Sequence, residues 1–256
     1  RKGAGTTRSG EAVEGSDKGV VLSAYRGRRS SVVSRGDGVD VAWGEAADPR
    51  IEVAGVRAYV AGYDRASKQL GKAALVGYGP PANDVHNTPS LTIDGEGFLH
   101  LLAGTHGRAF PYARSLQPND AGAGWTEAKP MIDQRQTYVG LVTGTDGTLH
   151  AVYRMWRANT PPHPEGIHAV LAYSRKAPGQ EWSAPQALVV PPFADYSVFY
   201  HRLTIDREGR LWLSYDYWST HWFYRNDHPG SRRALMTSPD GGGTWYLASG
   251  EHSPSR

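Results

Sequence analysis

The sequence predicts an all-β fold built from repeated antiparallel hairpins, and three observations support this prediction. Segments 91–99, 141–149 and 203–211 align without a gap, each reading as an apolar strand, an Asp/Gly turn and a second apolar strand. Helical periodicity is absent from the chain. Residues 238–245 match the Asp-box pattern Ser-x-Asp-x-Gly-x-Thr-Trp. Hairpins that recur roughly every 50–60 residues are typical of β-propeller blades with four antiparallel strands.

Residues 1–18 are rich in Gly, Ser and charged side chains and are predicted to be a flexible segment. Residues 19–248 hold about four blade-like units, and residues 249–256 form a tail. The strands predicted for the first unit are 20–26, 38–45, 56–64 and 73–79. Because 19–26 resembles the second strand of a hairpin, a first strand is missing and the chain is expected to cover only part of a propeller.

The second unit covers about 84–133, the third about 134–192 and the fourth about 193–248. Their outer strands are predicted at 110–115, 125–129, 169–175 and 182–188. Residues 159–166 are predicted to form a long polar loop. The Asp box of the fourth unit has a structural interpretation, in which Asp240 binds backbone donors of a turn and Trp245 packs into the blade.

The amino-acid composition indicates which classes of molecule the protein could bind. The 256 residues carry a formal charge of +3, and most basic residues are Arg, whose forked side chain suits an anionic ligand. No Lys/Arg-rich run or zinc-finger spacing is present, so no nucleic-acid partner is expected. No apolar run approaches the ~20 residues of a membrane span, so no membrane partner is expected.

The register of the repeats places several polar side chains together. The residue three places before each aligned segment is Thr88, Tyr138 or Tyr200, and the residue five places after it is Gly104, Arg154 or Asp216. These positions share one end of a blade because hairpin strands run antiparallel. The residues expected on one face, around the propeller axis, are therefore His86, His106, Tyr138, Arg154 and Tyr200.

These candidates also have interpretations without function. His86 would be an exposed loop residue and His106 a turn residue. Tyr138 and Arg154 would be a surface Tyr beside a surface Arg. The functional interpretation is that Tyr138 and Arg154 point into a central depression, where positive charge favours the phenolate. An Arg154 at this rim is not expected to be needed for folding. His100 and His150 share a repeat position that holds Trp212 in the fourth unit, which predicts packing and not catalysis.

Segments 84–94, 104–107, 137–140 and 152–154 together resemble the BNR-repeat polysaccharide lyases of the ulvan lyase type, which are seven-bladed β-propellers. The resemblance runs from about 19 to 245. It implies that a His and a Tyr act as acid and base and that an Arg neutralises a uronate carboxylate. The matching catalytic residues are His86, Tyr138 and Arg154. The implied substrate contacts are His106, Asn87, Trp156, Tyr196 and Tyr200.

The resemblance also implies β-elimination on a sulfated, ulvan-like uronic-acid polysaccharide, a monomer, and a secreted or periplasmic location. No cofactor is required for that chemistry. Some members carry a structural metal with Cys ligands, but this chain has no Cys, so a Ca or Zn site has no support from such ligands.

The chemistry of the residues agrees with this assignment. Arg154 would stabilise the charge that develops when the C5 proton leaves, and either Tyr138 or His86 would take that proton. Two alternatives remain open. One is a propeller glycoside hydrolase, sialidase-like or rhamnosidase-like, although no convincing Arg-Ile-Pro motif is present. The other is a non-catalytic carbohydrate-binding propeller that uses Trp156, Trp218 and Trp222.

Overall fold

The computed structural model describes residues 31–45, 55–81, 85–221 and 233–248. Their regular structure consists of strands and one turn of 3₁₀-helix, Val85–Asn87, which confirms the all-β prediction. None of the described residues belongs to a helix long and apolar enough to cross a membrane. The predicted strand 20–26, the N-terminal segment, the tail and Trp222 lie outside the described residues.

The described strands form four antiparallel sheets. The first sheet contains β1 (Val32–Arg35), β2 (Gly38–Glu45), β3 (Arg57–Asp64), β4 (Gln69–Leu70) and β5 (Ala74–Tyr78). The second contains β6 (Ser90–Ile93), β7 (Leu99–Leu102), β9 (Pro111–Gln117), β10 (Asp120–Trp125) and β11 (Lys129–Pro130).

The third sheet contains β8 (His106–Arg108), β12 (Gln136–Thr143), β13 (Leu149–Thr160), β14 (His163–Lys176) and β15 (Gln186–Val189). The fourth contains β16 (Ser197–Phe199), β17 (Arg202–Ile205), β18 (Leu211–Ser219), β19 (Arg233–Ser238) and β20 (Tyr246–Leu247). Each sheet has the meandering antiparallel order of a propeller blade.

The three aligned segments are the hairpins β6–β7, β12–β13 and β17–β18. Their turns contain Gly97, Gly147 and Gly209, whose φ angles of 96°, 80° and 79° lie in the region that glycine adopts at least cost. In the first turn, Asp94 Oδ1 accepts hydrogen bonds from two backbone N–H groups, at 3.0 and 2.9 Å. Asp206 Oδ1 does the same in the third, at 3.0 and 2.9 Å. The Asp/Gly turn prediction is confirmed.

The first strands of these hairpins lie side by side, as the inner strands of neighbouring blades do. The Leu141 N–H on β12 donates to Ser90 Oγ on β6 at 3.2 Å. Thr92 and Thr143 are joined through their hydroxyls at 2.9 Å. Three apolar clusters fill the spaces between successive sheets. Representative members are Val60 and Leu91, then Phe110 and Tyr153, then Leu171 and Trp245.

The Asp box has the structural role that the sequence predicts. Asp240 Oδ1 accepts hydrogen bonds from the Ser238 hydroxyl and the Thr244 N–H, both at 2.8 Å. Trp245 is buried and packs edge-on against Tyr173, with ring centroids 5.4 Å apart. The box therefore closes a turn and fills the core between the third and fourth sheets.

Three expectations for the outer strands and their connections are wrong. The strand expected at 182–188 is β15, which begins only at Gln186. Residues 159–166 are not a long loop, because pairing continues from Ala158↔Ile167 to Thr160↔His163 and leaves only a tight Pro161–Pro162 turn. The strand expected at 125–129 is instead β10, which begins at Asp120 and is followed by the short β11. Small residues fill β10 and give it little apolar signal, and Asn119 takes the left-handed conformation that opens the turn before it.

Candidate functional site

Tyr138 lies at an irregularity in β12. The pairing of β12 with β13 shifts between Thr137 and Gly140, as in a β-bulge. Tyr138 itself has φ of 61°, a left-handed conformation that costs a non-glycine residue about 1–3 kcal/mol. The residue is 8% exposed. Packing and hydrogen bonds around this residue therefore hold the phenol in a direction that a regular strand would not give it.

The Tyr138 phenol is hydrogen-bonded to an imidazole from another part of the chain. His86 Nε2 lies 2.6 Å from the Tyr138 oxygen, and the two ring centroids are 4.7 Å apart. His86 belongs to the 3₁₀ turn that precedes the second sheet. A neutral imidazole accepts the phenolic proton at this nitrogen or donates its own, depending on the tautomer. The pair is therefore built to share a proton.

His106 completes this group by stacking on His86, with ring centroids 4.0 Å apart. It lies on β8, a strand from the second repeat unit that pairs with β12 of the third sheet. Two hydrogen bonds fix β8 there. The Thr105 hydroxyl donates to the Gln136 carbonyl at 3.0 Å, and the Gly107 N–H donates to Thr137 Oγ1 at 3.1 Å. The His106 side chain is exposed.

Among the described residues Arg154 is the largest fully buried side chain and is 0% exposed, which contradicts the interpretation of a surface Arg. Its guanidinium carbon lies 5.0 Å from the ring centroid of Tyr138, 5.0 Å from that of Tyr196 and 5.4 Å from that of Trp156. These aromatic rings cover the charge through cation–π contacts.

The Arg154 guanidinium is only partly hydrogen-bonded. Nη1 donates to the Ser197 carbonyl at 3.4 Å. Nε and Nη2 are buried and have no hydrogen-bond partner within the described chain. These two nitrogens share one edge of the guanidinium, the edge that binds a carboxylate through two parallel hydrogen bonds. Both nitrogens have almost no exposed surface, so a planar anion would reach this edge only after neighbouring side chains move.

Aromatic side chains of the third and fourth sheets form one wall of the site. Tyr196 is 38% exposed, and its ring centroid lies 5.8 Å from Trp156 and 6.3 Å from Trp218. Tyr200 contacts Tyr138 edge-on at 6.0 Å. Amphipathic rings of this kind suit the apolar faces of sugars. Asn87 differs from them, because it is almost fully buried and its amide lies against Gly79.

His100 and His150 lie at the turn ends of their hairpins. His100 bridges Asp94 at 3.0 Å and the Tyr112 hydroxyl at 2.8 Å, and His150 bonds the Tyr173 hydroxyl at 2.7 Å. Trp212, at the same repeat position, donates its indole N–H to Asp206 at 2.9 Å. The position accepts either residue because each carries a ring N–H that reaches a polar group near the turn. Burial lowers the pKa of His150 to about 4, which keeps it neutral.

The structural metal of the resemblance does not fit the described part of this chain. Cys is absent from the sequence, and no group of three or more His, Asp or Glu side chains in the described ranges is placed to hold a metal ion.

Arg135 and Ser197 contribute to the site without any sequence signal. The Arg135 guanidinium carbon lies 5.6 Å from the Trp156 ring, and the Arg135 carbonyl accepts the Trp156 N–H at 2.9 Å. Ser197 acts through its backbone carbonyl, which any residue supplies. Neither residue falls in the aligned repeat segments, so their register does not mark them.

Comparison with known proteins supports the fold. The sequence model of the BNR repeat-containing family matches residues 55–253. A solved ulvan lyase from a polysaccharide lyase family superposes with a TM-score of 0.65 at 17% identity, covering 87% of this chain and 54% of that one. The same enzyme type has been solved bound to -[GlcA(1-4)Rha3S]-, with a TM-score of 0.65 at 16% identity over the same shares of both chains.

The polysaccharide lyase Uly1 superposes with a TM-score of 0.61 at 13% identity, covering 97% of this chain and 62% of that one. This chain therefore spans between about half and three fifths of these relatives. No curated protein matches it in sequence. At these identities the likeness shows a β-propeller.

Proposed function

Because the chain belongs to the BNR repeat-containing family and folds as a β-propeller, we propose that it is a polysaccharide lyase that cleaves a uronic-acid polysaccharide by β-elimination. One observation carries the proposal. A buried Arg154 with two unfilled donors contacts the ring of Tyr138, whose phenol shares a short hydrogen bond with His86.

Arg154 is suited to recognise the uronate carboxylate. A buried donor without a partner costs about 1–3 kcal/mol, and a carboxylate on the Nε/Nη2 edge would satisfy two of them. Elimination first places negative charge on the carbon next to that carboxylate and then on its oxygens. A fixed guanidinium stabilises this developing charge, which is the kind of electrostatic effect that contributes most to catalysis.

His86 and Tyr138 supply the proton transfers. A base removes the C5 proton, the C5–H electron pair forms the C4–C5 double bond, the C4–O bond breaks, and an acid protonates the leaving oxygen. The neighbouring Arg154 charge favours a Tyr138 phenolate as the base, with His86 as the acid. The 2.6 Å hydrogen bond also accommodates the reverse assignment. Each transfer contributes about 10²–10⁴-fold.

The surrounding residues suit a polymeric sugar substrate. Tyr196, Trp156 and Trp218 offer ring faces for stacking, and His106 is exposed beside His86. We further propose that the substrate is a sulfated, ulvan-like polysaccharide. We also propose that the protein acts as a secreted or periplasmic monomer. The ulvan lyase solved with -[GlcA(1-4)Rha3S]- supports that choice of substrate.

Product analysis on a panel of uronate polysaccharides tests the proposal. A lyase releases fragments with an unsaturated uronate, detected as new ultraviolet absorbance. A hydrolase would release reducing ends without that absorbance, and a binding propeller would leave the polymer intact. We expect absorbance with at least one polymer. Reducing ends alone, or intact polymers throughout the panel, would contradict the lyase assignment.

A further inference from the structure

A concave region formed by the third sheet and the segment before it adjoins the candidate site. It is a cavity of about 500 Å³, and its described lining includes Gln134, Arg135, Trp156, Arg157 and Thr160. Trp156 borders both this cavity and the candidate site, because its ring contacts the guanidinium of Arg154 as well as that of Arg135.

The cavity is positively charged. Arg135 is exposed and Arg157 is half-buried, and none of the described residues lining the cavity is acidic. Neither guanidinium forms an ion pair with a described carboxylate. Two like charges without counter-charges attract an anion, and the attraction is stronger within a concave surface. The cavity wall also holds the Thr160 hydroxyl, which is buried and has no hydrogen-bond partner in the described chain.

Arg135 links the cavity to the proton-sharing residues. A Cβ placed on Gly107 would lie 3.9 Å from both Nε and Nη2 of Arg135, so the guanidinium passes along the backbone of β8 next to His106. A chain of sugars that reaches His86 and Tyr138 with one ring therefore passes Arg135 with a neighbouring ring.

We propose that this cavity is a second anion subsite, which binds a sulfate ester or a carboxylate on a sugar next to the reacting uronate. The inference rests on the proposed function for its polymeric ligand. Arg135 and Arg157 supply forked donors for either group, and Trp156 separates this subsite from the fork of Arg154. The subsite contributes substrate affinity and register along the polymer and takes no part in proton transfer.

Kinetics with paired substrates test the subsite. The double variant Arg135→Gln/Arg157→Gln is compared with Arg207→Gln, which removes an exposed Arg from the turn between β17 and β18. On a sulfated uronate polymer, the double variant should raise KM by about 10-fold or more and leave kcat within about 2-fold, as expected for lost uniform binding. Arg207→Gln should match the wild type.

A chemically desulfated form of the same polymer separates the two ligands. A KM effect confined to the sulfated polymer identifies a sulfate ester, and an equal effect on both polymers identifies a carboxylate. A double variant whose KM equals that of the wild type on both polymers overturns the subsite. Arg135→Gln and Arg207→Gln are surface substitutions that change stability by about 0.5 kcal/mol or less, and a melting curve of the double variant checks its fold, because Arg157 is half-buried.

A binding measurement tests the proposed subsite without depending on enzyme turnover. Isothermal titration of both polymers into Tyr138→Phe protein, with and without the two Arg substitutions, reports affinity alone. Affinity that depends on Arg135 and Arg157, together with a wild-type protein that releases no unsaturated product, would contradict the lyase function and retain the subsite. Lyase activity with no such dependence would retain the function and overturn the subsite.

Discussion

His86 Nε2 lies 2.6 Å from the phenolic oxygen of Tyr138, across the boundary between two blades. His86 lies on a 3₁₀ turn before the second sheet, and Tyr138 lies at a bulge in the third sheet. A short hydrogen bond between groups of different intrinsic pKa makes the location of the shared proton sensitive to nearby charge, which Arg154 supplies.

Tyr138→Phe removes the phenolic hydroxyl and retains the ring. We expect kcat/KM on the best uronate polymer to fall by at least about 10²-fold, because proton transfer through the oxygen is lost. The melting temperature should change little, since the apolar contacts remain. Tyr63→Phe, on β3 of the first sheet, is the matched control and should keep full activity. Near-normal turnover by folded Tyr138→Phe would exclude a catalytic phenol.

Substitution of Arg154 should separate stability from activity. Arg154→Met keeps most of the buried volume and removes two donors that lack partners, so the free energy of unfolding should equal or exceed that of the wild type. Arg154→Ala should be less stable because it leaves a cavity. Both should lose at least about 10²-fold in turnover. Urea denaturation and steady-state kinetics check this. A strongly destabilised Met variant would contradict the lack of partners at Nε and Nη2.

Acid should weaken the fold through His150. Burial is the main cause that lowers its pKa to about 4, whereas an unfolded His titrates near about 6.5. Above about pH 6.5 both states are neutral and the full stability is present. As the pH falls toward about 4, the unfolded chain binds a proton that the folded chain does not, which costs up to about 3 kcal/mol.

The non-titrating variant His150→Gln isolates this contribution. Urea denaturation of wild type and variant at about pH 7 and about pH 4.5 gives the difference in free energy of unfolding at each pH. That difference should shift by about 2–3 kcal/mol in favour of the variant at the lower pH. A difference that does not depend on pH would show that His150 is protonated in the folded state.

Asp240→Ala tests the structural role of the Asp box. The change removes an acceptor for the Ser238 hydroxyl and the Thr244 N–H, so the free energy of unfolding should fall by about 1–3 kcal/mol. Since the box closes a turn and makes no contact with the His86–Tyr138 pair, kcat of the folded variant should match the wild type. Selective loss of kcat with unchanged stability would contradict this role.

The repeat register predicted the hairpins and several members of the site because strand pairing converts sequence position into spatial position. Tyr138 and Arg154 lie on paired strands for that reason. The register did not predict the left-handed backbone of Tyr138, which depends on a bulge held by its surroundings. It also missed the burial of Arg154, because the covering ring of Tyr196 comes from the segment before β16, outside the hairpin that carries Arg154. Arg135 lies outside every aligned segment and has no pattern to mark it.

The strand β8 limits how such a protein can be recombined. His106 is encoded with the second repeat unit but is hydrogen-bonded into the third sheet, beside Tyr138. A gene crossover at the apparent repeat boundary would separate β8 from the strand it pairs with, even though each exchanged unit retained its own hairpin. Exchange of a whole repeat unit would thus preserve the β-sheets but separate His106 from Tyr138. The residues of the candidate site are therefore divided between two repeat units, and a functional exchange must replace both units together.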